Sequence, residues 1–279
     1  MKEAPWGLWR SQVGATLRLE IKKNFLARRG LWVYLLAAAP MVLFGGHTLV
    51  MLKRGRACDL GRDNLIFASV FQFFFLRLAV FFGCVGVFIN LFRGEMLEKS
   101  LHYYLLAPVR REVLLAGKYL AGVITTSVIF CTSTALSIVI LLLHFHPSVV
   151  TQYLYEGGGL GHILAYVGTT MLACVGYGGV FLVMSFLFRN PIIPAAVVLV
   201  WESLNPFLPA VLKKISVIFY LESLSPLKPP VTGDWAFLAV LANPTPPYLA
   251  IPGLLLVTAA GLLLAARKVR KLEINYGAE

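Results

Sequence analysis

Long apolar runs alternate with short polar connectors along this chain, and the runs are too long for the helices of a water-soluble core. A helix needs about 20 apolar residues to cross the hydrocarbon of a bilayer. Six stretches qualify: Leu31 to Leu52, Leu65 to Phe92, Tyr119 to Leu143, Gly161 to Phe188, Ile192 to about Leu212, and Tyr248 to Ala266. The second is long enough to tilt or to project beyond the membrane. The fifth contains Glu202, Asn205, Pro206 and Pro209, so it is expected to break or re-enter rather than cross straight.

Composition makes lipid the solvent for those runs. Of 279 residues, 58% are hydrophobic and only 14% are charged, against about 25% charged in a soluble domain. The net charge of +12 is therefore read as basic flanks of membrane spans, not as a nucleic-acid surface. The first thirty residues are polar and basic, and no cleavable signal peptide is expected among them. The chain reads as one all-α, polytopic membrane domain: residues 1–30 an interfacial segment, 31–266 a six-span bundle, 267–279 a tail. Cys84, Cys131 and Cys174 fall inside apolar runs and read as small buried hydrophobes, and Cys58 lies in a loop.

Lysine and arginine set the expected orientation. With six spans, one side holds the N-terminal segment, the second and fourth loops and the C-terminus, with 17 Lys and Arg; the other side holds 7. Both termini are thus expected in the cytoplasm of a cell-membrane protein. The first loop, KRGRACDLGRD, carries four of the outer basic residues and fits this least well. Within the N-terminal segment, Trp9, Val13, Leu17, Ile21 and Phe25 recur every fourth residue, with Arg18, Lys22, Lys23, Arg28 and Arg29 around them. That spacing predicts an amphipathic helix at the head-group level. Residues 213–230 are semi-polar and too short to span, and short helices against the outer end of the bundle are expected there.

The connector of residues 93–118, RGEMLEKSLHYYLLAPVRREVLLAGK, is the most charged stretch in the middle of the chain. A helix is expected to run on from the second span through Phe92 to Glu95 and Glu98. Pro108 breaks it, and a new helix starts after Arg110 and Arg111. The result is a helical elbow. A solvated loop obeying the charge rule would have much the same composition. The segment resembles the ABC-2 type permease family, the membrane subunits of type V ABC exporters. Glu95, Glu98, Ser100 and Leu101 match the acidic first half of the family's connector motif. Leu105, Leu106, Pro108, Val109, Arg111, Leu115 and Lys118 match its proline-centred second half. Lys99 stands where the family has glycine.

The resemblance extends to six spans, cytoplasmic termini, the N-terminal helix and the extra helical segment before the last span. It implies that Arg93, Glu95, Glu98, Pro108, Arg110, Arg111 and Lys118 belong to a coupling element docked on a cytoplasmic ABC ATPase. It implies a second permease subunit, with spans two and five at the interface, and ATP bound by the partner. No GxxxxGK[ST] loop occurs in the chain, so ATP hydrolysis is expected on that partner, and no cofactor or enzymatic activity is expected here. A non-transporting membrane scaffold and a stand-alone secondary transporter are the alternatives; against the latter, no internal repeat is legible.

Charged side chains in hydrocarbon are costly, at least ~2.5 kcal/mol on insertion scales, and tend to have a role. Arg77 in span two and Glu202 in span five are expected to pair, with Gln72 and Asn205 nearby. His144 and His146, two residues apart, do not share a helix face, and Glu156 is the nearest acid. His47, His102 and His162 stand alone in sequence. No metal site is expected, and no Ser-His-Asp or paired-carboxylate set is legible. Gly83 and Gly86 in span two and Gly176, Gly178 and Gly179 in span four read as notches for close helix packing. GGGLG at 157–161 reads as a turn.

Overall fold

The computed structural model describes residues 6–26, 30–54, 59–97, 104, 106, 109–188, 190–227 and 245–270. All elements among them are helices, and five are long and apolar enough to cross a membrane. Helix α1 is Trp6–Leu26 and α2 is Leu31–Arg54. Helix α3, Leu60–Gly94, continues through Glu95–Leu97 without a break. It widens to π-helical winding over Phe71–Val80 and Asn90–Gly94. Helix α4 is Arg111–Leu142, α5 Pro147–Tyr155 and α6 Gly159–Leu187. Then come α7 Ile192–Ser203, α8 Ala210–Lys213, α9 Val217–Leu224 and α10 Pro247–Arg270. The five long helices are α2, α3, α4, α6 and α10.

Large apolar side chains point outward along them: Leu35 is 71% exposed, Val42 70%, Leu164 72% and Leu256 71%. A water-soluble protein does not display apolar surface on this scale. The chain is a multi-pass membrane protein.

The fifth predicted span is not one helix. Helix α7 has 12 residues, about 18 Å at 1.5 Å per residue, against about 30 Å of hydrocarbon. It stops at Ser203, where Asn205–Phe207 tightens into a single 3₁₀ turn. Pro206 supplies no backbone N–H there, and Pro209 follows. The stretch after it also departs from expectation. Helix α9 does not lie on the outer end but inserts among α3, α6 and α10, with Val217, Ile218 and Leu221 fully or nearly buried.

Glycines set the helix spacing, because association in lipid depends on close packing rather than on water exclusion. A Cβ on Gly83 would lie 2.2 Å from the Phe130 ring, and one on Gly178 2.4 Å from Phe88. Gly86 faces Trp32, Gly176 faces Leu254 and Val217, and Gly179 faces Thr258, all at sub-contact distance. Interhelical hydrogen bonds supplement the packing. Tyr119 donates to the Val175 carbonyl at 2.9 Å, Thr134 and Thr170 meet at 3.1 Å, and Thr48 donates to the Ile140 carbonyl at 2.9 Å. Gly178→Val is expected to destabilise the bundle by roughly 1–3 kcal/mol through overpacking. Gly168→Ala, which meets nothing within 4 Å, serves as the neutral control in a detergent thermal melt. The turn at Gly157–Gly159 is as expected: Gly158 has φ 72°, and its neighbours pack against Tyr153.

Candidate functional site

One end of the bundle gathers most of the charged elements. The end of α3, the start of α4 and helix α1 meet around the ammonium of Lys118, which has no solvent exposure. Lys118 Nζ donates to Glu20 Oε1, to Glu95 Oε1 at 2.7 Å and to the Leu91 carbonyl at 3.1 Å. An ammonium has three N–H donors, and all three are used. The rings of Tyr104 and Phe92 lie 4.7 and 5.4 Å from the same nitrogen. Lys23, half exposed, reaches Glu95 Oε1 at 2.8 Å, and the Tyr104 hydroxyl donates to Glu20 at 3.4 Å.

Glu20 is 1% exposed. Burial pushes its carboxyl above the ordinary range, and the Lys118 charge opposes that rise. Burial and the two nearby carboxylates likewise raise the Tyr104 phenol. Helix α1 can come this close because Gly117 of α4 presents no side chain: a Cβ there would sit 2.9 Å from Thr16. The four-residue stripe of α1 is half-buried rather than open, and among the described side chains of that helix the one buried residue is an acid, Glu20.

The elbow residues divide into two groups. Glu95 and Lys118 face inward and bond each other, so they are not surface charges awaiting a partner. Buried ions of opposite sign pair because each alone would be desolvated at a cost of several kcal/mol. Arg110 is exposed, with its guanidinium 4.7 Å over the Trp9 ring. Arg111 donates to the carbonyls of Val269 and Arg270, at 3.2 and 2.8 Å. That ties the start of α4 to the end of α10, where basic side chains suit the helix dipole. Arg270 in turn pairs with Glu112. Arg93 is half-buried beside Met96, and Leu106 is 79% exposed. Glu98 and Pro108 lie outside the described residues. Between α1, α4 and the end of α10 runs a groove of about 620 Å³ whose walls include Trp6, Trp9, Arg10, Val13, Arg110 and Arg270.

No protein-family model matches the chain, and no curated protein matches it significantly. The chemistry of the site therefore rests on its own geometry.

The intramembrane polar residues do not form the expected pair. Arg77, in the π-helical part of α3, bonds Glu222 of α9 and lies 5.6 Å from the Phe73 ring. Glu202 spans the break after α7 instead. It accepts from the Ser216 hydroxyl at 2.8 Å and from the backbone N–H groups of Val217 and Ile218 at 3.0 and 2.8 Å. Those N–H groups open α9 and have no partner within the helix, so a carboxylate is the natural cap. Gln72 donates to the Leu227 carbonyl at 3.2 Å. Asn205 is 2% exposed, and its side-chain nitrogen has no partner among the described residues.

Two acids are not singled out by sequence alone. Glu222 is the lone acid in the apolar stretch 215–227 and Glu20 the lone acid of residues 6–26. Isolation of that kind is the signal that could have found them. The histidines are redistributed too. His146 is exposed and caps α5 through Ser148. His144 turns inward instead and meets His47 at the far end of the bundle.

Proposed function

We propose that this chain is the membrane subunit of an ATP-driven exporter, moved by a separate cytoplasmic ATPase through the elbow of residues 93–118. The observation that carries this reading is the buried knot of Lys118, Glu95 and Glu20. It fastens α1 and the elbow ends of α3 and α4 into one block, and α3 and α4 are the two longest helices. A force applied to such a block moves both helices, whereas a loose loop would absorb it. Leu106 and Arg110 are the exposed side chains that a docking ATPase would grip, one by burial and one by charge.

In this reading the segment from Ile192 to Leu227 makes a sixth passage through the membrane as two short helices joined at Glu202. Support comes from the Arg111 contacts, which put the end of α10 beside α1 and the elbow. Ends that share a side require an even number of passages. With Lys213 and Lys214 inside that passage, the bias is 17 Lys and Arg against 5, which favours the cytoplasm for the shared side. Helix α1 would lie at the head groups, with Leu8 and Leu19 toward lipid and Arg18 and Lys22 toward phosphates. A second copy would meet the exposed face of Ile192, Ile193, Val197 and Val200 on α7.

The test is co-purification in mild detergent with co-expressed ABC ATPases of the same genome, beginning with any encoded beside this chain. Leu106→Asp combined with Arg110→Glu is expected to lower the recovered ATPase at least tenfold while leaving the unfolding temperature unchanged. Retention of the ATPase by the double variant removes the elbow from the docking surface. If even the unaltered chain retains no ATPase, the exporter reading fails.

A further inference from the structure

At the end of the bundle opposite the Lys118 knot, three helices bring together side chains that the sequence scatters over nearly a hundred positions. His47 comes from α2, Asp63 from the first turn of α3, and His144 from just beyond α4. His144 Nε2 lies 2.9 Å from Asp63 Oδ2, and His47 Nε2 lies 3.4 Å from the same oxygen. One nitrogen or oxygen from each of the three residues falls within 4.8 Å of the others.

We propose that His47, Asp63 and His144 are three ligands of a divalent transition-metal ion of the zinc type. The donor chemistry is right: two imidazoles and one carboxylate suit borderline ions such as Zn²⁺ and Co²⁺ and are a poor set for Ca²⁺ or Mg²⁺. The spacing is right. Ligands about 2.1 Å from a tetrahedral ion stand about 3.4 Å apart, close to the two His–Asp separations found. Such a set leaves a fourth position for water or another ligand.

Electrostatics points the same way. The Asp63 side chain is 7% exposed and that of His144 is 1% exposed. A buried carboxylate is paired or coordinates a metal ion, and the side chains that meet its Oδ2 are two imidazoles, themselves metal-ligating groups. His144 Nδ1 has no partner among the described residues. Access remains through His47, whose side chain is 21% exposed.

The ligands are also held in place. Phe44 and Phe67 pack at 5.0 Å beneath them, and Phe67 meets Tyr166 at 4.9 Å. Thr48, next to His47, bonds the Ile140 carbonyl and so fixes α2 against α4. The rigid supporting layer favours a pre-formed site.

The test uses the full chain, purified in detergent with a tag free of histidine, stripped with chelator and titrated with Co²⁺. One Co²⁺ per chain is expected, with visible ligand-field bands of four-coordinate intensity that bleach when equimolar Zn²⁺ is added. His47→Gln, Asp63→Asn and His144→Gln should each weaken binding at least tenfold. His47→Cys guards against variants that merely misfold: it should keep the ion and add a thiolate-to-cobalt charge-transfer band. Absence of those bands in the unaltered chain, or equal Co²⁺ affinity in a folded His47→Gln variant, would leave only a hydrogen-bonded His–Asp–His cluster and overturn the proposal.

Discussion

Lys118→Met is expected to be the most damaging single change in the elbow. Methionine matches the lysine chain as far as Cε but removes the ammonium that Glu20 and Glu95 share. Two carboxylates that are 1% exposed or less would then face each other without the cation they share. Breaking a buried ion pair from one side costs about 3–5 kcal/mol. The expected result is a large fall in detergent unfolding temperature and in the amount of protein recovered from membranes. Lys22→Met, at an exposed position one residue from Lys23, should stay within about 0.5 kcal/mol.

The informative comparison is a triple variant. Adding Glu20→Gln and Glu95→Gln to Lys118→Met removes the orphaned charges, and most of the lost stability should return. Rescue would identify desolvated charge as the cause of damage. If Lys118→Met melted like Lys22→Met, the knot would have no energetic weight, and the rigid-block argument for coupling would fall with it.

Glu202→Leu is expected to have the second largest effect, by a different route. The carboxylate accepts three hydrogen bonds from the start of α9. Without it, the N–H groups of Val217 and Ile218 stay buried and unpaired, at about 1–3 kcal/mol each. The loss should be local: amide exchange at residues 217–221 should accelerate before the long helices loosen. Glu202→Gln retains one acceptor oxygen and should fall between the two. Unchanged exchange across α9 in Glu202→Leu would mean that the break between α7 and α9 is held by packing alone. The Arg77–Glu222 pair, about one turn further along α9, should persist, since its partner helix α3 is fixed by its own aromatic contacts.

Helix α9 marks the limit of what the linear pattern conveys. Residues 213–230 are semi-polar and short, and on that basis the sequence places them outside the bundle. Both properties are real. What the linear pattern does not carry is that partners wait for the segment's acid and for its helix start: Glu222 has Arg77, and the helix N-terminus has Glu202. A polar group loses its penalty for burial once it is paired, so the segment packs inside. The same logic inverts the Arg77–Glu202 expectation. Two opposite charges in apolar runs invite pairing, yet a third charge and an unsatisfied helix start divide them.

The sequence by itself determined the membrane class, the helical architecture, the course of the five long helices and the weak point near Asn205 and Pro206. It also placed the glycine notches. These follow from local properties: span length against hydrocarbon thickness, charge density, and the absence of a Cβ. Tertiary structure alone decided which charges meet. Lys118 finds Glu20 across nearly a hundred residues, and His47, Asp63 and His144 converge from three helices. Ion pairing and ligand geometry depend on distances of a few ångströms, and those are fixed only when helices remote in sequence pack side by side.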